Sequence, residues 1–244
     1  MGIARKLNNL IHPKIGEVWM LHRVVEQRSE NPDQRALEVT QQFLEQKILE
    51  YQRRGYSFIS ISDILRRHGG KEYDSNPPIL RRHKEKWVCL TFDDGYQDNY
   101  TLAYPLLKRL GVPFCVYVTT GLIDNQMPLW WYPGEHLGIS TDELKSLAAD
   151  PLCTIGAHTV RHPRLDTLTT DAQRLEITTS RQRLEELLQK PVRHFSYPHG
   201  AYNSHTVDIC REAGFLTAVT TNGRPVRSDC TPLQLDRINI VQPD

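Results

Sequence analysis

The chain has 244 residues, 39% hydrophobic and 24% charged, with 30 Lys and Arg against 29 Asp and Glu. That is the balance of a soluble globular protein and not of a disordered chain. A net charge of +1 gives no general electrostatic case for nucleic-acid binding.

From Met1 to His12 there are two basic residues but no uninterrupted apolar stretch, so no secretory signal is expected. No apolar run approaches the roughly 18 residues of a membrane span. Cys89, Cys115, Cys153, Cys210 and Cys230 are scattered, odd in number and without a CxxC pair. This predicts buried free thiols in a reducing compartment. A cytoplasmic location follows as the expectation, with any membrane contact peripheral.

The first strand-like run covers residues 18–22, ending at His22. Phe43, Ile48, Leu49 and Tyr51 then fall on one helical face. A second strand is expected at 57–61, followed by an exposed polar loop at 67–86. Strands at 87–93 and 114–119 flank a helix that carries Leu102, Leu106 and Leu110 and stops at Gly111. Further strands are expected at 153–158 and 194–197, separated by a helix from Thr169 to about Lys190. A last helix ends at Gly214, and strands at 216–221 and 235–240 close the chain. Strands alternating with glycine-stopped helices predict a mostly parallel sheet with crossover helices. About seven to eight strands fit an α/β fold of the TIM kind, a distorted or incomplete (β/α) barrel. No linker divides the chain, so residues 1–244 read as a single domain with its core at about 15–241.

Three segments carry chemistry. Thr91-Phe92-Asp93-Asp94-Gly95 ends a strand in two adjacent carboxylates. Neighbouring strand side chains point opposite ways, so the two acids can do different jobs, one on a metal and one on a water. Asp98 is expected to cap the next helix. His158 and His162, in Gly156-Ala-His158-Thr-Val-Arg-His162-Pro163, are spaced so that two imidazoles can meet one metal. With an Asp from another strand end they make a two-histidine, one-carboxylate set that leaves positions open for water and substrate. Ser196-Tyr197-Pro198-His199-Gly200 is either a plain turn or a groove wall whose backbone N–H groups face a reacting carbonyl.

Together these segments resemble the polysaccharide deacetylase family, the carbohydrate esterases that share the NodB homology domain. The family's Thr-Phe-Asp-Asp-Gly stands intact at 91–95, and its His-Ser/Thr-x-x-His-Pro at 158–163. Its third motif, Arg-x-Pro-Tyr/Phe-Gly, departs here to Ser-Tyr-Pro-His-Gly at 196–200, without the Arg. That form is similar to the circularly permuted branch acting on exopolysaccharide poly-N-acetylglucosamine. No His follows His205, so the C-terminal motif that supplies the family's acid is missing. Val18-Trp-Met-Leu-His22 resembles the permuted branch's N-terminal element instead.

The resemblance implies a metal-dependent deacetylase. Asp94, His158 and His162 would hold one divalent ion, Zn²⁺ first, with Co²⁺, Ni²⁺, Fe²⁺ or Mn²⁺ also suited to the set. Asp93 would be the general base and His22 the general acid, with the backbone N–H of Tyr197 facing the oxyanion. Pro198 and His199 would line the groove. Trp130 and Trp131 could stack on sugar faces or form a lid, and Tyr96 could line the groove or pack. An acetylated amino-sugar glycan is the implied substrate. The absent export signal adds a lipid- or nucleotide-linked precursor made inside the cell. An inactive sugar-binding scaffold and a hydrolase of a small amide are the alternatives.

Overall fold

The structure is a computed structural model and describes residues 14–66, 86–129, 131–133 and 135–243. Its strands are β1 (Lys14–Leu21), β2 (Arg23–Val25), β3 (Glu38–Thr40), β4 (Tyr56–Phe58), β5 (Lys86–Phe92) and β6 (Phe114–Val118). They continue with β7 (Cys153–Ala157), β8 (His194–Ser196), β9 (Thr217–Val219), β10 (Val226–Arg227) and β11 (Ile238–Asn239).

β1, β5, β6, β7, β8 and β9 pair in parallel in that order. Beyond β9, Val219 bridges Leu235 in parallel, and the chain from Leu235 runs into β11, which pairs in parallel with β1. The sheet therefore curls back onto its first strand, as the barrel expectation requires. Two short additions lie on its rim: β4 beside the start of β5, and β10 antiparallel to β1. β2 and β3 form a separate parallel pair.

Both faces of this sheet are buried, which is why its strands read as continuous apolar runs. On the concave side Val18, Trp87, Cys89, Cys115, Tyr117, Val219 and Leu235 pack together, plugged by Ile59, Ile61 and Ile64. On the convex side Trp19, Leu90, Phe92, Phe114 and Val116 meet the helices through Leu44, Ile48, Leu107, Leu147, Ile177 and Leu184. Full burial of each such side chain contributes about 1.5–3 kcal/mol, so alternation of inside and outside residues fixes the strand register. Gly156 is needed for this packing: a Cβ there would lie 2.4 Å from the Tyr117 ring.

All eight expected strands are present, as β1, β4–β9 and β11. The helices are α1 (Pro32–Arg35), α2 (Gln41–Arg53), α3 (Ile61–Arg66), α4 (Tyr104–Leu110), α5 (Thr141–Ala149), α6 (Thr170–Leu188) and α7 (Ser204–Glu212). α5 was not anticipated, although Ser140 and Glu143 form a capping box at its start. Residues 67–85 of the expected polar loop lie outside the described residues. Among the described residues all five cysteines are free, and four are buried. No described helix is long and apolar enough to cross a membrane.

Candidate metal and active site

The expected site residues follow the C-terminal ends of neighbouring strands. His22 follows β1, Asp93 and Asp94 follow β5, His158 follows β7, and Tyr197 follows β8. In a parallel barrel these ends form one rim, so the pairing order of the sheet assembles the cluster. The backbone bends sharply to present it. Of the seven non-glycine residues at positive φ among the described residues, Asp94, Thr159, His162 and His199 belong to this rim. Such strained conformations persist where the surroundings hold them and gather at functional sites.

Asp94 Oδ1 lies 3.5 Å from His158 Nε2 and 3.4 Å from His162 Nε2. One donor atom from each residue lies within 4.8 Å of the others. His158 Nδ1 is 2.8 Å from the Ser196 carbonyl, which can only accept, so Nδ1 carries the proton and Nε2 keeps its lone pair. Burial lowers the His158 pKa to about 3 and that of His162 to about 4, so both rings are neutral near pH 7. Burial raises the Asp94 carboxyl to about 6, against the charge of His22. Asp94 Oδ1 is buried with no hydrogen-bond partner. The His158 Nε2 lone pair faces this unpartnered carboxylate oxygen, and His162 Nδ1 is buried without a partner as well, an arrangement that is costly unless a cation lies among the donors. The donor set therefore fits a divalent ion of the kind that nitrogen and oxygen ligands hold.

Asp93 has a different setting. Arg237 donates to it twice, Nη1 to Oδ1 at 2.7 Å and Nη2 to Oδ2 at 2.6 Å. Arg237 is fully buried. Its remaining donors reach Thr220 O, Thr91 Oγ1 and Ser196 Oγ. Ser196 Oγ also donates to Asp93 Oδ2 at 3.3 Å. Burial alone would raise the Asp93 pKa, but the Arg237 charge holds it well below the usual carboxylate range. The two adjacent acids thus stand in different settings: Asp94 keeps one buried oxygen without a hydrogen-bond partner, and Asp93 is held in its ionised form by Arg237.

Arg237 was missed at the sequence level. Its signal was an arginine inside a strand-like apolar run, Leu235-Asp-Arg237-Ile-Asn-Ile240, because a fully buried Arg requires a partner. Ser196 occupies the place of the absent Arg in the 196–200 segment, and Arg237 reaches the same carboxylate from β11's side.

His22 is half-buried, and its charge acts on both Asp93 and Asp94. His199 is exposed, with its ring 4.5 Å from that of His162. The Trp131 ring lies 5.1 Å from His162, and its Nε1 donates to the Tyr96 hydroxyl at 2.5 Å. Trp130 lies outside the described residues. Pro198 is buried and shapes the turn.

Three expectations are corrected. Tyr197 is fully buried, its hydroxyl donates to Leu233 O, and its backbone N–H donates to Val219 O at 3.2 Å. The sheet therefore uses the N–H that had been assigned to the oxyanion. Tyr96 is 1% exposed and cannot line a groove; its hydroxyl instead favours the charged form of Asp94. Asp98 makes no capping bond and instead accepts from Arg23 Nε and the Val24 N–H.

Comparison with known proteins places the chain in a family and a fold. The polysaccharide deacetylase sequence model matches residues 81–218. The chain is 25% identical over 224 residues to the poly-β-1,6-N-acetyl-D-glucosamine N-deacetylase of Escherichia coli strain K12, covering 76% of this chain and 31% of that protein. It spans 53%, 31% and 48% of the lengths of three curated relatives. The deacetylase PplD of Streptococcus pyogenes, solved with acetate, superposes with a TM-score of 0.76 at 26% identity, covering 93% of each chain. IcaB of Ammonifex degensii shares the fold, with a TM-score of 0.71 at 24% identity over 93% of this chain and 92% of that one.

Proposed function

We propose that this chain, which belongs to the polysaccharide deacetylase family, is a metal-dependent deacetylase that removes an acetyl group, foremost N-acetyl, from an amino-sugar glycan or from a lipid- or nucleotide-linked precursor of one. The observation that carries this reading is the pairing of an unsatisfied Asp94–His158–His162 donor set with a second buried carboxylate held ionised beside it. The E. coli relative is by name an N-deacetylase of a glucosamine polymer, which favours the N-acetyl substrate.

Asp94, His158 and His162 would hold the ion. When bound, it would polarise the acetyl carbonyl and lower the pKa of a water in its open positions. Asp93 takes a proton from the attacking water, and Arg237 and Ser196 hold its two oxygens in place. Attack puts negative charge on the carbonyl oxygen, which needs a fixed donor. In the turn Pro198–Gly200, Gly200 N–H donates to Tyr197 O, Ala201 N–H to Pro198 O, and proline has no N–H. That leaves the His199 N–H for the oxyanion. His22 donates a proton to the leaving nitrogen as the C–N bond breaks, giving acetate and a free amine. Trp131, beside His162, supplies an aromatic face against which a sugar ring can stack.

The test is metal content measured together with acetate release on a panel of N-acetylglucosamine oligomers and lipid-linked amino sugars. About one ion per chain is expected, with activity abolished by a chelator and restored by Zn²⁺. A protein that takes up no divalent ion under any loading condition sinks the proposal.

A pH dependence follows from the same donors. Protons compete for Asp94 below about pH 6, while His158 and His162 stay neutral well below that. Zinc affinity should be flat above about pH 6 and fall by about tenfold per pH unit just below it, a one-proton slope. Calorimetric titration between pH 5 and pH 8 checks this; a midpoint near neutrality would assign the competition to histidine instead.

A further inference from the structure

We infer that Asn99, supported by Asp98, is a positioning residue for His22; the inference rests on the reading of His22 as the proton donor. His22 is the single residue between β1 and β2 and belongs to neither strand. Its carbonyl accepts from Asn99 Nδ2 at 2.8 Å, and the same Nδ2 also donates to Asp98 Oδ1 at 3.2 Å. On the C-terminal side, the Val24 N–H donates to Asp98 Oδ1 at 3.1 Å, and Arg23 Nε donates to Asp98 Oδ2 at 2.7 Å. On the N-terminal side, Leu21 O accepts from the Asp93 N–H at 2.9 Å. One segment, residues 93–99, therefore carries the base and a metal ligand and also holds the backbone on both sides of the acid.

Two features of Asn99 favour function over mere packing. It is fully buried, yet its Oδ1 has no hydrogen-bond partner. Each such orphan in a native structure calls for an explanation, since it destabilises the fold. Asn99 also opens a π-helical turn, Asn99–Ala103, ahead of α4. Such widened turns are rare and recur at functional sites. Here the widened turn starts at the residue whose amide reaches His22.

Leaving-group dependence separates positioning from folding. An amine must be protonated to leave, whereas 4-nitrophenolate leaves without help. The zinc-loaded protein would be assayed on an N-acetylglucosamine oligomer and on 4-nitrophenyl acetate. Asn99→Ala and the near-isosteric Asn99→Leu both remove the donor to His22 O. Each should lower kcat on the N-acetyl substrate by about 10- to 100-fold, the cost of a misplaced catalytic group. KM, zinc content and the aryl acetate rate should be unchanged. His22→Ala should show the same split, and adding Asn99→Ala to it should slow the reaction no further. Equal losses on both substrates, or loss of zinc, would overturn the positioning role. A split in His22→Ala without one in either Asn99 variant would also overturn it and leave His22 as the donor. No split in His22→Ala would instead remove the donor assignment, and this inference with it.

Discussion

Arg237→Met is expected to destabilise the fold by about 3–5 kcal/mol, the usual consequence of removing one partner of a buried ion pair. Arg237 is fully buried, and Asp93 beside it is 3% exposed. The substitution keeps the side-chain length but leaves the carboxylate with only the Ser196 hydroxyl. If the loss comes from the stranded charge, Arg237→Met combined with Asp93→Asn should be more stable than Arg237→Met alone. If it comes from lost packing, the two losses should add. Denaturant melts of the four proteins decide between these outcomes.

The pH dependence of this pair has a definite sign. Asp93 has a folded-state pKa below its ordinary 3.8, so its ion pair stabilises the fold above that value and ceases to do so as acid protonates it. Without Arg237 the largest influence opposing burial is gone and the carboxyl titrates higher. In Arg237→Met a second acid limb, that of Asp93, should rise toward the limb of Asp94 and steepen the acid side of the kcat/KM profile. An acid side with the slope and position of wild type would mean that loss of Arg237 does not bring the Asp93 titration into the working range.

How much of this was legible in the sequence depends on how far apart the interacting residues lie. The 91–95 and 158–163 segments are local, and each carries its own strand and turn signal. The parallel pairing of β5, β6 and β7 then brings Asp94 to His158 and His162. The barrel was legible for a similar reason, because strands buried on both faces stand out as apolar runs. Arg237 was not, because its meaning lies in a partner 144 residues away. Tyr197 was misassigned for a related reason: a strand end and a turn look alike in sequence, and whether its N–H is free depends on β9 alongside it. Tyr96 and Asp98 share a segment with the acids, but their burial is set by Trp131 and Arg23 from other elements. What remained hidden was tertiary hydrogen bonding, which leaves no periodicity to read.

Asp93→Asn should retain its zinc and lose about 10²- to 10⁴-fold in kcat, the range that a positioned general base supplies. Asp94, His158 and His162 are untouched by the change, so metal content should match wild type. An Asn side chain offers one acceptor where Arg237 presents two donors, and its amide N–H₂ would face a guanidinium N–H. Some stability is therefore lost as well, and activity must be read well below the melting temperature. The low pKa of Asp93 sharpens the interpretation. A carboxylate held well below its usual range is a weak base, so it gains little from proton affinity. Its contribution is to be ionised throughout the working pH range and fixed in place by Arg237 and Ser196. The wild-type rate should then show no limb from Asp93 near neutral pH, and any limb near pH 6 belongs to Asp94. If Asp93→Asn keeps its zinc and its rate, Asp93 serves only to neutralise Arg237, and the proton from water must be taken by another group.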